Sequence, residues 1–211
     1  TVRASSVDVR SGGAGGGSVA HVPELTGALR VGPESAGAEP GPAAYGLGGT
    51  LPTVTDANVV LGYLPSHEVR LGGDMVIRRA KAQKAVQTIA DAIGLPLKQA
   101  AAGIIDIVNE TMYGALRLVS VEKGYDPRDF VLFAFGGAGP LHASSLAREL
   151  GIPKILIPLY PGINSALGCI VADVRYDFGQ SVGRLLQDVS QTDGENILLE
   201  QTMRGKAIIT R

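Results

Sequence analysis

Two glycine-rich segments carry the chemistry this sequence can be read for. The first is Gly12-Gly13-Ala14-Gly15-Gly16-Gly17-Ser18, set between short runs of strand-forming residues. Consecutive glycines let backbone N–H groups converge on an anion with no side chain in the way, and Ser18 adds a hydroxyl donor. A glycine hairpin with no ligand has the same composition. The second is Phe135-Gly136-Gly137-Ala138-Gly139-Pro140-Leu141-His142, which begins about 120 residues later. There an apolar run ends in a glycine turn that opens a helix, the place where α/β sheets bind ligands. His142 adds an imidazole able to hydrogen-bond at neutral pH, although a tight strand-to-helix turn needs no ligand. Neither segment carries the Lys-Ser/Thr pair of a P-loop or GxGxxG spacing.

The elements that must position these loops follow from periodicity. Val7 to Val9, Ser18 to Val22 and Ala28 to Val31 read as short strands, and the Gly/Pro/Ala-rich residues 32–53 read as a long loop. A helix is expected from Thr55-Asp56 through Leu64, and two longer ones over Met75 to Ile93 and Leu97 to Glu122, ended by Gly94 and Gly124. The second long helix sets Ile104, Ile107, Val108, Met112, Ala115 and Val119 on one face. Phe130 to Phe135 has no polar residue and predicts a strand buried on both sides. A helix from Pro140 to Leu150, a buried strand over Lys154 to Pro158, a helix over Asn164 to Val174, an extended stretch over Arg175 to Leu185 and a helical pattern from Asn196 complete the chain. Strands alternating with helices give the class α/β.

Composition limits the function. Hydrophobic residues make up 45 % of the 211 and charged residues 18 %, so the chain can bury a core. A net charge of −1 predicts no basic face for nucleic acid or for a membrane surface. The densest basic cluster, Arg78, Arg79, Lys81 and Lys84, reads as a solvated helix face. No apolar run approaches the ~20 residues of a membrane helix. Cys169 is the single cysteine, expected as a small core residue in a reducing, cytoplasmic setting.

Two glycine loops, each after a strand, resemble the second lobe of the actin, sugar-kinase and heat-shock (ribonuclease H-like) ATPase superfamily. Longer wording narrows this. Gly15-Gly16-Gly17-Ser18, Val31-Gly32-Pro33-Glu34-Ser35-Ala36-Gly37-Ala38, Pro40-Gly41-Pro42-Ala43, Thr53-Val54-Thr55-Asp56-Ala57-Asn58, Phe135 to Ala143 and Arg175-Tyr176-Asp177-Phe178 occur in that order. Together they resemble the A-type subunit of the hydantoinase/oxoprolinase family.

The resemblance implies an ATP-dependent enzyme working with Mg2+ and a B-type partner subunit or domain. It would hydrolyse cyclic amides such as hydantoins or 5-oxoproline, or carboxylate ketones as the acetone and acetophenone carboxylases do; a non-enzymatic ATPase-lobe binding module is the competing reading. It also implies a β/γ-phosphate hairpin at Gly15, Gly16, Gly17 and Ser18, and an adenosine turn at Gly136, Gly137, Ala138 and Gly139, with His142 beside it. Asp8 and Asp56 become the acids for Mg2+ or water positioning, with Asp56 first expected as a helix N-cap. Many relatives carry Cys where this chain has Ala44. Residues 1–185 are expected to form one ATPase lobe: a glycine-rich part over 7–53, a helical insert over 55–124 and a nucleotide segment over 128–185. Residues 186–211 are expected to be a cut helical segment. The Asp-x-Gly-Gly-Thr loop of a first lobe is not among the 211 residues, so a larger protein is expected, with this piece inactive alone.

Overall fold

A computed structural model describes residues 10–65, 70–71, 75–173, 178–183 and 185–209. The chain forms two compact units, one over Asp8–Cys169 and one joining Thr1–Val7 to Ile170–Arg211. The fold is α/β, with helices and three two-stranded sheets among the described residues.

In the larger unit, β1 (Ser18–His21) and β2 (Arg30–Ser35) form an antiparallel hairpin, with Ala20 opposite Val31. The second strand runs further than the sequence suggests, taking in residues first read as loop. β1 also bridges to Thr53, and Thr53 opens α1 (Val54–Leu61). Two short antiparallel strands follow, β3 (Arg70–Leu71) and β4 (Met75–Val76). They delay α2 to Arg79–Ile93, four residues past the expected start. Gly94 ends α2 as read, and α3 (Leu97–Val119) stops short of Glu122, where a 3-10 turn takes over.

The three helices build the core. Val54, Ala57 and Val60 of α1, Ala82, Val86 and Ala90 of α2, and Ala100, Ile104 and Val108 of α3 are packed together and sealed from water. Alanines at these positions let the helix axes approach closely, and Ile104 is the bulkiest of the sealed side chains. Within the stripe read from sequence, Ile104 and Val108 are core, whereas Met112 is only partly covered against it.

β5 (Val131–Phe133), α4 (Gly139–Leu150) and β6 (Lys154–Leu156) make a βαβ unit in which the two strands pair in parallel, Leu132 beside Ile155. The expected burial on both sides is not found. Val131, Phe133 and Phe135 are 50 %, 44 % and 43 % exposed, all on one face, and β6 is exposed along its length. Ala134, pointing the other way, is buried. A residue's apolarity fixes which layer it needs, not whether that layer lies within these residues.

α5 (Asn164–Val171) is three residues shorter than expected, and Cys169 on it is exposed rather than core. Of the stretch expected to be extended, residues 175–177 and 184 lie outside the described residues. Residues 178–183 form no strand. In the smaller unit, α6 (Gln191–Ile209) begins five residues earlier than its periodicity indicates. Ser190 and Asp193 exchange backbone-to-side-chain hydrogen bonds there, closing the helix start.

Candidate functional site

The two glycine segments face one cavity of about 590 Å3, walled by Gly16, Gly17, Thr55 and Asn58 on one side and by Gly136, Gly137, Ala138 and Leu141 on the other. Their approach is close. A Cβ on Gly16 would lie 2.8 Å from Thr55 Oγ1 and 3.4 Å from Ala138 Cβ, so only glycine leaves this junction open.

The first wall is a turn at the foot of the β1–β2 hairpin. Ser18 N–H donates to Gly15 O at 3.1 Å, which puts Gly16 and Gly17 at its tip. Both carbonyls there are taken by the protein. Gly16 O accepts from Thr55 N–H and Thr55 Oγ1–H, each at 2.9 Å, and Gly17 O accepts from Ala36 N–H at 2.8 Å. The amides of Gly16 and Gly17 donate to no group among the described residues. Such a loop offers N–H groups to an anion.

Ser18 does something other than expected. It is buried, its oxygen accepts from Gly15 N–H at 3.0 Å, and its hydroxyl donates to Gly13 O at 3.1 Å. The hydroxyl braces the turn from within. Gly15, with its amide taken, is likewise support and does not line the cavity.

The second wall follows β5. Gly136 adopts φ +90°, a conformation that side chains rarely tolerate, and its N–H donates to Pro161 O at 2.8 Å. α4 then starts with Ala138 as N-cap and no side-chain cap, with proline in the first turn. Its positive end is therefore left for a ligand or solvent. Gly139 does not line this cavity; it lines a separate hollow together with Met112 and Phe133.

His142 does not line the cavity either. The ring is 1 % exposed, and its Nδ1 lies 2.7 Å from Asn109 Oδ1 on α3; Nδ1 is taken as the protonated nitrogen because Oδ1 can only accept. Nε2 is buried with no partner among the described residues. Burial lowers the imidazole pKa, so the ring is neutral at pH 7. His142 thus pins α4 to α3 and does not reach the cavity.

Asp56 is not the N-cap of α1. Thr53 is, with Asp56 at the third helical position completing a capping box. The carboxylate is 0 % exposed and accepts from Ala44 N–H at 2.7 Å, Thr53 N–H at 3.0 Å, Thr53 Oγ1–H at 2.7 Å and Ala43 N–H at 3.3 Å. Burial pushes its pKa up, against the pull of these four donors, the Thr53 hydroxyl foremost. Three of these bonds end on Oδ2 and one on Oδ1, so Asp56 clamps the 3-10 turn Ala43–Tyr45 onto α1, and it does not line the cavity. Asp8 lies outside the described residues.

Residues that sequence reasoning passed over complete the cavity. Thr55 and Asn58 stand one helical turn apart on α1, and Pro42, Tyr45, Pro161 and Gly162 close the ends. The wording Thr-Val-Thr-Asp-Ala-Asn at 53–58 held the signal for Thr55 and Asn58, which the sequence reading takes as a helix start and a family block and not as a cavity wall. None of the residues lining the cavity is Asp, Glu, Lys, Arg or His. The walls can hold a ligand through amides, hydroxyls and the Tyr45 ring, but they supply no carboxylate, imidazole or cation.

Comparison with known proteins agrees in kind. The family profile described as hydantoinase/oxoprolinase matches residues 1–178. An uncharacterised protein of Methanocaldococcus jannaschii is 48 % identical over 204 residues, covering 97 % of this chain and 30 % of that protein. Caprolactamase subunit alpha of Pseudomonas jessenii is 48 % identical over 172 residues, covering 81 % of this chain and 24 % of its own. The crystal structure of the ATP-dependent caprolactamase from that organism superposes with a TM-score of 0.69 over 77 % of this chain and 23 % of that one. A nucleotide-free structure of an acetone carboxylase superposes with a TM-score of 0.71 at 35 % identity, over 87 % of this chain and 26 % of that one. The chain therefore spans a quarter to a third of the length of these relatives.

Proposed function

The chain belongs to the hydantoinase/oxoprolinase family, and on that footing we propose that it is the nucleotide-holding part of an ATP-dependent enzyme that opens cyclic amides. The observation that carries this reading is the meeting of Gly16 and Gly17 with Gly136, Gly137 and Ala138 at one cavity. The architecture is then the second lobe of an actin-like ATPase, and the expected setting is cytoplasmic.

The walls fit a nucleotide. The free amides of Gly16 and Gly17 hold phosphate oxygens, and the glycine turn before α4 accommodates the nucleoside. Bound ATP supplies the phosphoryl group that makes a carbonyl oxygen a good leaving group, which an amide by itself lacks. Thr55 fixes the Gly16–Gly17 peptide plane through two hydrogen bonds to Gly16 O, which sets the direction of the Gly17 N–H. Asp56 keeps the Ala43–Tyr45 turn, and with it the Tyr45 ring, at the cavity rim. Positioning of this kind is the main protein contribution to phosphoryl transfer.

Mg2+ fits less well. Among the described residues no group of three His, Cys, Asp or Glu side chains could hold a metal ion. Cationic help and acid–base groups then come from outside this lining, from Asp8 or from another part of the assembled enzyme. The relative named as a caprolactamase alpha subunit favours a partner subunit, here proposed to be of B type. The 211-residue chain is then a binder without turnover, and substantial ATP hydrolysis by it alone would contradict the proposal.

Titration calorimetry with ATP tests the site. Gly16→Val, which pushes into Thr55 and Ala138, is expected to weaken binding ~10-fold or more, about 1.4 kcal/mol. A Gly137→Val variant tests the other wall, and unchanged affinity in both overturns the assignment. Carboxylation is the second reading, favoured by the acetone carboxylase likeness. Label from bicarbonate appearing in the product of the assembled enzyme decides for it. ATP turnover stimulated by lactams or hydantoins decides for hydrolysis.

A further inference from the structure

Two sequence features remain outside this site: the glycine/proline segment at residues 32–53 and the basic cluster on α2. They meet. A second cavity of about 490 Å3 lies between them, with Gly48, Gly49 and Thr50 on one side and Lys81, Lys84 and Thr88 on the other. Lys81, Lys84 and Thr88 stand at positions i, i+3 and i+7 of α2, so all three share one helix face.

The electrostatics of this cavity are one-sided. No Asp or Glu lines it, and neither lysine forms an ion pair among the described residues. Two ammonium groups one turn apart repel each other, and both lie in the first half of a helix that has no acidic residue in its first turn and no side-chain cap. The opposite wall adds donors. The amides of Gly48, Gly49 and Thr50 bond to no acceptor among the described residues. Two ammonium groups and consecutive free amides around one hollow are a donor set for an oxyanion, whereas the Thr88 hydroxyl already donates to Ala85 O at 2.7 Å.

We propose that this cavity is an anion site, separate from the nucleotide cavity, that takes a small phosphate- or carboxylate-bearing molecule. Its location gives it a route to the first site. Ala43 lines this cavity, while Pro42 and Tyr45 of the same turn line the other, and Asp56 grips that turn from α1. An anion held by Lys81 and Lys84 therefore rests on the back of a wall of the nucleotide cavity.

The site is testable without activity. Backbone-amide NMR of the 211-residue chain is recorded while inorganic phosphate, and separately acetate, is titrated at ionic strength held constant with chloride. Saturable shifts at Gly48, Gly49 and Thr50 are expected, together with the Lys81 and Lys84 side-chain signals. The probe giving the stronger saturation names phosphate or carboxylate as the ligand group. In Lys81→Ala/Lys84→Ala those shifts lose at least ~10-fold in affinity, while any shifts at Gly16 and Gly17 persist. Both lysines are exposed, and alanine favours helix, so the variant folds. Shifts confined to Gly16 and Gly17, shifts unchanged in the double variant, or shifts that never saturate each overturn the proposal. Loss of the Gly16 and Gly17 response with the Gly48–Thr50 response intact would break the nucleotide assignment and leave this one standing.

Discussion

Each wall of the first cavity has a buried ionisable side chain behind it, and the two are held in opposite ways. Behind the first wall, Asp56 accepts from four donors, three on one carboxylate oxygen and one on the other. Behind the second, His142 has one partner and a buried nitrogen with none. A buried group costs what its unpaired atoms cost, so the first arrangement is rigid and depends wholly on the carboxylate. The second tolerates loss of its polar group but not a gain of charge. One wall is built to be fixed, the other to stay neutral.

Removing Asp56 is the strongest way to break this contrast. Asp56→Ala strands the amides of Ala43, Ala44 and Thr53 in a site closed to water. The expected cost is about 3–5 kcal/mol, a large share of the ~5–15 kcal/mol by which a domain is stable. Urea unfolding measures it, and a loss under about 1 kcal/mol would mean the turn is held by something else. Asp56→Asn keeps the acceptor facing Ala44 but sets an NH2 against the Thr53 and Ala43 donors, so it recovers little. The raised pKa gives a sign as well. The folded chain holds the Asp56 proton more tightly than the unfolded chain, so acidification through its pKa relieves a buried charge. Asp56 does not drive acid unfolding.

Much of the first wall could be read from residue types. The glycine run, the hairpin, and the helix begun by Thr-Val-Thr-Asp are local patterns, and local hydrogen bonding decides them. Asp56 was misplaced by three positions because Thr53 can cap equally well, and only the reach of its carboxylate to Ala43 and Ala44 selects between the two. The second wall was legible as strand, turn and helix, yet its environment was not. The burial expected of Phe133 and Cys169 depends on what packs over them, and periodicity carries no such information. The meeting of Lys81 and Lys84 with Gly48 and Gly49 is likewise a tertiary fact. A run of helix cations gives no sign of the loop it faces.

His142 sharpens the contrast from the other side. Its pKa is lowered by burial, so the stability tied to its neutral form is present above about pH 6.5 and is lost as pH falls from there toward the folded-state value. In His142→Leu the ring's unpaired nitrogen is gone, and Asn109, half-buried, can turn its amide to water. The expected loss at pH 7.5 is about 0.5–1.5 kcal/mol, much less than for Asp56→Ala. The diagnostic is the difference between wild type and variant across pH, in which other titrating groups cancel. That difference shrinks from pH 7 to pH 5 if His142 is held neutral. A difference independent of pH would show that the imidazole gains a proton partner on acidification.

The smallest effect belongs to an exposed pair that sets the scale for both. Arg128 donates to Asp126 through Nε at 3.0 Å and through its terminal nitrogen at 2.6 Å, and these bonds hold the carboxyl down at about 2. By sign, this interaction is present above the ordinary carboxylate pKa of about 3.8 and is lost as pH falls toward 2. Both side chains stand in water, where such pairs add little to stability. Arg128→Ala is therefore expected to return the Asp126 titration, followed by NMR, toward the ordinary range while leaving the unfolding midpoint at pH 7 in place. A clear drop in that midpoint would mean that the pair orders the turn into β5. In that case the second wall would depend on a polar group after all, and the contrast with Asp56 would narrow.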